Sequence, residues 1–195
     1  MKRVASIALS FFLAISMVGS LSSCSQKTTG TFEAGKGTFL LNGDSMVVKA
    51  AEIHYPRIPE PYWEQRIESC KALGMNTICL YVFWNLHEQE EGKFDFTGNK
   101  DIAKFCRLAQ KHGMYVIVRP GPYVWEMGGL PWWLLKKQDV QLRSLDPYYM
   151  ERVGIFMKEV GKQLADLQIT RGGNIIMVQV ENEFGSYGTD KPYVS

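Results

Sequence analysis

Cysteine is scarce in this chain, and its spacing excludes two classes of protein. Of the four cysteines, Cys24 closes the N-terminal apolar segment, which leaves Cys70, Cys79 and Cys106. An odd set with no CxxC pair supplies neither a disulfide framework nor a zinc site. Each of the three falls in an apolar helix or strand pattern and reads as a core thiol. Charge of one sign is also lacking. Lys and Arg number 22 against 20 Asp and Glu, a formal +2; losing Lys2 and Arg3 would neutralise it, so nothing favours nucleic acid as a partner. The apolar run from Val4 to Val18 is too short for a spanning helix, which needs about 20 residues. No Gly-rich phosphate loop follows the first strand, which counts against a doubly wound nucleotide-binding sheet.

What is present begins with a leader. Lys2 and Arg3 precede the apolar run and Gly19-Ser20-Leu21-Ser22-Ser23-Cys24 follows it, the layout of a secretory signal; the alternative is a buried hydrophobic helix. Leu21-Ser22-Ser23-Cys24 further resembles a bacterial lipobox, in which the cysteine becomes the lipidated N-terminus. The expectation is a signal peptide over residues 1–23 and export across the inner membrane. An acyl anchor on Cys24 then holds the protein in the periplasm or at the outer membrane or cell surface, with no other membrane contact. Residues 24–37, rich in Ser, Thr and Gly, read as a flexible tether. Residues 38–195 remain as the globular part.

The chain as a whole is 46% hydrophobic and 22% charged, an ordinary globular balance. Asn42-Gly43 between two apolar runs predicts a hairpin, and Met46 to Ile53 predicts the first strand of a parallel sheet. Pro59 to Leu73 carries a helical stripe of Trp63, Ile67, Cys70 and Leu73, stopped by Gly74. Met75 to Trp84 is the second strand. Asn99 or Asp101 opens a helix carrying Ile102, Phe105, Leu108 and Ala109. Met114 to Val118 is the third strand. Asp146 as N-cap and Pro147 as first residue open a helix with Val153, Phe156, Val160 and Leu164 on one face. Strand and helix alternate in units of roughly thirty residues, the pattern of right-handed βαβ crossovers. The fold class is α/β: four βα units behind a hairpin, about half of a (β/α)8 TIM barrel, since 195 residues fall short of the ~250 such a barrel commonly takes.

The fourth strand organises the rest. Gly172-Gly173-Asn174-Ile175-Ile176-Met177-Val178-Gln179-Val180 is a short, nearly all-apolar run, read as buried on both faces. It ends in Glu181-Asn182-Glu183, at the end of a barrel strand where ligands bind. On an extended strand Glu181 and Glu183 share a face and Asn182 points away. Carboxylates there suit acid/base work on a glycoside; the plain alternative is that the triplet starts a solvated loop.

The string from Gly172 to Phe184 closely resembles the signature of glycoside hydrolase family 35, the β-galactosidase family. That signature runs Gly-Gly-Pro, two aliphatics, two spacers, then Gln-x-Glu-Asn-Glu-(Phe/Tyr), and Asn174 alone departs, standing where the family has proline. His54-Tyr55-Pro56-Arg57-Ile58-Pro59 matches the segment after the family's first strand, with His54 read as a support of the mouth. Tyr81 to Glu88 matches Tyr-Val-x-Trp-Asn-x-His-Glu, with Phe83 where the family writes proline. The resemblance implies that Glu183 is the general acid/base of a retaining exo-β-galactosidase, that Asn182 binds the sugar, and that Tyr81 touches galactose. It implies a galactoside or oligosaccharide substrate and no metal or cofactor. The family has Cys-Ala-Glu between the equivalents of Val124 and Trp125, and those residues are missing here. Glu126 does not inherit the lost glutamate's role by alignment, although a shortened loop lets it swing in as a hydroxyl partner. Trp125, Trp132 and Trp133 either stack on sugar or wedge between loop and helix. The nucleophile lies on a later strand in the family, so the chain reads as the N-terminal half of a catalytic domain. The alternative is a non-catalytic carbohydrate-binding lipoprotein, or an inactive degenerate fragment.

Overall fold

A computed structural model describes residues 29–124 and 129–195. The expected signal segment, Cys24 and the stretch from Trp125 to Gly128, Glu126 included, lie outside the described residues. The described chain opens with a small antiparallel sheet of β1 (Phe32–Ala34), β2 (Phe39–Leu41) and β3 (Asp44–Met46). Asn42 and Gly43, at φ 53° and 87°, join β2 to β3 with both residues left-handed, as a type I′ turn requires. β1 falls within the expected tether. Its Phe32 ring stacks on Phe39 at 5.2 Å, and the Gly35 N–H bonds the Thr38 carbonyl at 2.8 Å, so the glycines there make a tight turn rather than a linker.

A second sheet is parallel, in the order β4 (Ala50–Glu52), β5 (Thr77–Tyr81), β6 (Tyr115–Arg119), β7 (Ile175–Val178). The run Met46 to Ile53 is therefore not one strand. Asn76 divides it: its Nδ2 donates to the Val47 carbonyl at 2.8 Å and its Oδ1 accepts from Lys49 N at 2.9 Å. That side chain satisfies the backbone between β3 and β4 in place of a neighbouring strand.

Helices cover one face of the parallel sheet. Ile78, Leu80, Val116, Val118 and Ile175 are buried there against α1 (Trp63–Ala72), α3 (Ile102–Lys111) and α4 (Pro147–Leu164), with α2 (Trp84–His87) between β5 and α3. α1 inserts Trp63 and Ile67, α3 inserts Phe105, Cys106 and Ala109, and α4 inserts Val153, Phe156, Val160 and Leu164. Each large apolar side chain so buried stabilises the fold by about 1.5–3 kcal/mol. Leu73 is not part of α1's stripe; the helix has ended at Ala72 and Leu73 is 77% exposed. Of the described cysteines only Cys106 is fully buried, and desolvation pushes its thiol up to about 12; Cys70 and Cys79 are half-buried. The opposite sheet face carries Cys79, Tyr115, Ile117 and Met177, all half-buried. Among the described residues no helix is long and apolar enough to cross a membrane.

Candidate active site

Local sequence determines how β7 begins. Gly172 is left-handed, φ 79°, and any Cβ on Gly173 would overlap the Leu167 carbonyl. Asn174 is buried, and its Nδ2 donates to the carbonyls of Cys106 and Met114 at 3.0 and 2.9 Å. The amide thereby staples the middle of α3 and the residue that leads into β6 to the start of β7, which proline could not do.

β7 stops at Val178, and the expected burial on both faces does not extend to its end: Val178 and Val180 are 57% and 83% exposed. Glu181 and Glu183 have φ 59° and 51°, so the backbone turns left-handed at both and the two carboxylates do not share the face of an extended strand. Glu181 is buried. Its carboxylate accepts from Arg143 NH2 at 2.8 Å, from the Tyr193 hydroxyl at 2.9 Å and from Asn182 N at 2.7 Å. Burial, then Tyr149 and Glu181, raise the Tyr193 hydroxyl well above its usual range and keep it a donor. Arg143 also donates to the Asn182 carbonyl and lies over the Tyr123 ring at 4.6 Å. Glu181 is thus an internal anchor with its acceptor sites engaged. Glu183, the residue preceding α5 (Phe184–Tyr187), is exposed, and its charge reaches Tyr81 and Tyr123.

Arg119, at the end of β6, gathers the ends of all four parallel strands. Its NH1 donates to Glu52 Oε2 at 2.7 Å, Nε to Gln179 Oε1 at 2.6 Å and NH2 to Asn182 Oδ1 at 2.9 Å. Its guanidinium carbon stands 3.9 Å over the Tyr81 ring. Register puts Tyr81 and Arg119 side by side. Burial raises the Tyr81 hydroxyl while Arg119 opposes that shift, so Tyr81 is a neutral donor at the mouth. His54 supports this group from β4: its Nε2 lies 2.9 Å from Glu52 Oε1, and its ring meets Tyr81 and Phe83 edge-on at 5.5 Å. Arg57, which has no acceptor, faces His54 Nδ1 at 3.4 Å; Nε2 is then the donating nitrogen.

The loop after β5 is held by charge. Glu88, fully buried, accepts from Arg152 NH2 and Trp84 Nε1, both at 2.6 Å, and from Gly92 N at 2.7 Å. Trp133 is buried and donates to the Glu88 carbonyl at 2.8 Å, a wedge between loop and α4; Trp132 is 58% exposed. His87 is buried and its pKa is lowered to about 4 by desolvation. Its Nδ1 lies 2.8 Å from the Asp95 carbonyl and must donate, so Nε2 accepts from the Tyr55 hydroxyl at 2.6 Å.

One cluster has the composition of a cation site: Glu64 and Glu68, a turn apart on α1, with His112. Lys111 already bonds Glu64 at 2.7 Å, so a cation there would have to displace an ammonium.

Tyr81, Asn182 and Glu183, singled out from sequence, come together at the carboxyl end of the sheet. Glu52, Arg119, Arg143 and Tyr193 were not singled out. Arg119 left a signal, a lone cation ending an apolar strand. Arg143 left none, because its partner Glu181 is reached through a loop of left-handed turns.

The family model of glycosyl hydrolases family 35 matches residues 38–195. A β-galactosidase of Xanthomonas manihotis is 40% identical over 186 residues, which cover 94% of this chain and 31% of that protein. Human β-galactosidase-1-like protein 2 is 44% identical over 159 residues, covering 80% of this chain and 25% of its own. The chain thus spans between a quarter and a third of the length of these curated relatives. In fold it is similar to the exo-β-1,4-mannosidase Op5Man5 from an Opitutaceae bacterium, strain TAV5, with TM-score 0.62 at 18% identity over 74% of this chain and 26% of that one. With a parallel α/β sheet, a polar cluster at its carboxyl end and a family match over most of its length, the chain belongs to glycosyl hydrolase family 35.

Proposed function

We propose that this chain forms part of a retaining exo-β-galactosidase, and that its four-stranded parallel sheet is the first half of a (β/α)8 barrel. The observation that carries the reading is the meeting of Asn182 and Tyr81 around Arg119 at one sheet end, with Glu183 next to Asn182 in the chain and near enough for its charge to act on Tyr81. Glu183 protonates the leaving glycosidic oxygen and afterwards takes a proton from the attacking water. Asn182 holds the sugar 2-hydroxyl, where bonding strengthens in the transition state. Tyr81 lines the galactose site, and Glu126 is a further candidate for a hydroxyl contact.

A retaining mechanism needs a second carboxylate about 5 Å from the first. Glu181 is engaged by Arg143 and Tyr193, and Glu52 by Arg119 and His54. In this reading the nucleophile therefore comes from a strand outside these 195 residues, and activity belongs to the assembled barrel. Glu183→Gln in the full-length protein is the test. Hydrolysis of a galactoside with a poor leaving group should fall about 10²–10⁴-fold, while an activated aryl galactoside loses much less in the glycosylation step. Equal losses on both substrates at that step would remove Glu183 from the acid/base role.

A further inference from the structure

We propose that Arg119 is a positioning residue that fixes which end of the Asn182 amide meets the sugar, making this point of the site a hydrogen-bond donor only. The inference rests on the galactosidase reading and adds to it a polarity rule for the group on C2.

A guanidinium carries five N–H donors and no acceptor. The atom of Asn182 lying 2.9 Å from Arg119 NH2 must therefore be the oxygen, which turns Nδ2 the other way. Among the described residues no protein acceptor bonds that Nδ2. Rotating the amide by half a turn would set two donors against each other beside a positive charge, so the flipped state is closed while Arg119 stays in place. Arg119 is itself pinned: by Gln179 on Nε, by Glu52 on NH1 and by the face of Tyr81. Gln179 cannot turn over either, since its Nε2 donates to the Glu181 carbonyl at 2.7 Å. The backbone of Asn182 is held at both ends, its N–H by the Glu181 carboxylate and its carbonyl by Arg143. A C2 substituent with a lone pair gains a bond from Nδ2; one without gains nothing.

The experiment compares galactose, 2-deoxygalactose and 2-deoxy-2-fluorogalactose as competitive inhibitors of aryl β-galactoside hydrolysis by the full-length protein. Fluorine accepts weakly and hydrogen not at all, so the fluoro sugar should inhibit about fivefold or more below the concentration the deoxy sugar needs. In Arg119→Leu and Arg119→Met, which carry no donor, the amide is released, and the gap should close to within about twofold with the thermal transition retained. Loss of mere structural support would weaken all three sugars alike and leave the gap intact. Should both variants fail to fold, Asn182→Asp decides: an acceptor-only carboxylate there should reverse the order, the fluoro sugar becoming the poorest. A wild-type protein with no preference for fluoro over deoxy, a folded Arg119 variant that keeps the gap, or an Asn182→Asp protein with unchanged order overturns the proposal. Inhibition by none of the three sugars defeats the galactosidase reading itself and the inference with it.

Discussion

At the scale of the residue, His87 makes the clearest prediction. The folded protein holds it neutral, with a pKa of about 4 against an ordinary 6.5, whereas the unfolded chain takes up the proton near the ordinary value. Its contribution to stability is therefore complete above about pH 6.5, is lost as the pH falls toward 4, and is constant below that, where both states carry the proton. The loss amounts to about 3 kcal/mol. His87→Gln should flatten this part of the curve when chemical denaturation is followed from pH 7 to 4; an unchanged slope would mean that other groups set the acid limb. At the same scale, sequence reading succeeded where a residue's chemistry is local and failed where it is not. The signature glycines are demanded by a left-handed turn and by a carbonyl within overlap of any Cβ, both effects of near neighbours. Asn174 looked like a bare departure from the family, because the carbonyls it binds belong to Cys106 and Met114, far back in the chain. Glu181 was misjudged for a related reason. Two carboxylates spaced by one residue share a face only while the backbone stays extended, and here it does not.

Among the elements, helices were more legible than strands. α3 and α4 start where their caps say: the Asp101 carboxylate accepts from Lys104 N, and that of Asp146 from Tyr149 N at 2.9 Å. The Asp146 carboxyl is lowered mainly by that backbone donor. Asp146→Ala should lower the denaturation midpoint at unchanged m-value; no shift would show that Pro147 alone suffices to start α4. Strand ends were harder. Met46 to Ile53 looks like one apolar run, yet Asn76, well along the chain, splits it into the end of β3 and the start of β4. The side chain that decides the boundary is not in the run. The same distance hid β1, whose place depends on Phe39 rather than on the glycines around it.

For the molecule as a whole, β4 and β7 stand at the two ends of the parallel sheet; among the described residues no further strand covers either outer edge, and β7 has only a single bridge there, from Gln168 to Ile175. Such edges recruit other chains, and Val178 and Val180 add exposed apolar surface beside one of them. Residues 25–195 expressed alone should therefore be aggregated or molten and should not turn over an aryl β-galactoside. A soluble monomer with a cooperative thermal transition, or measurable turnover, would overturn that expectation. The pairing of Tyr81 with Arg119 across β5 and β6 matters beyond the chemistry it frames. In a sheet, slipping one strand by a single residue sends every side chain to the opposite face. A slip of β6 would drive the Arg119 guanidinium in among Ile78 and Leu80 and strand Glu52, Gln179 and Asn182 without their shared cation. The clamp therefore works as a checksum on assembly: a strand threaded one residue out of register cannot balance it.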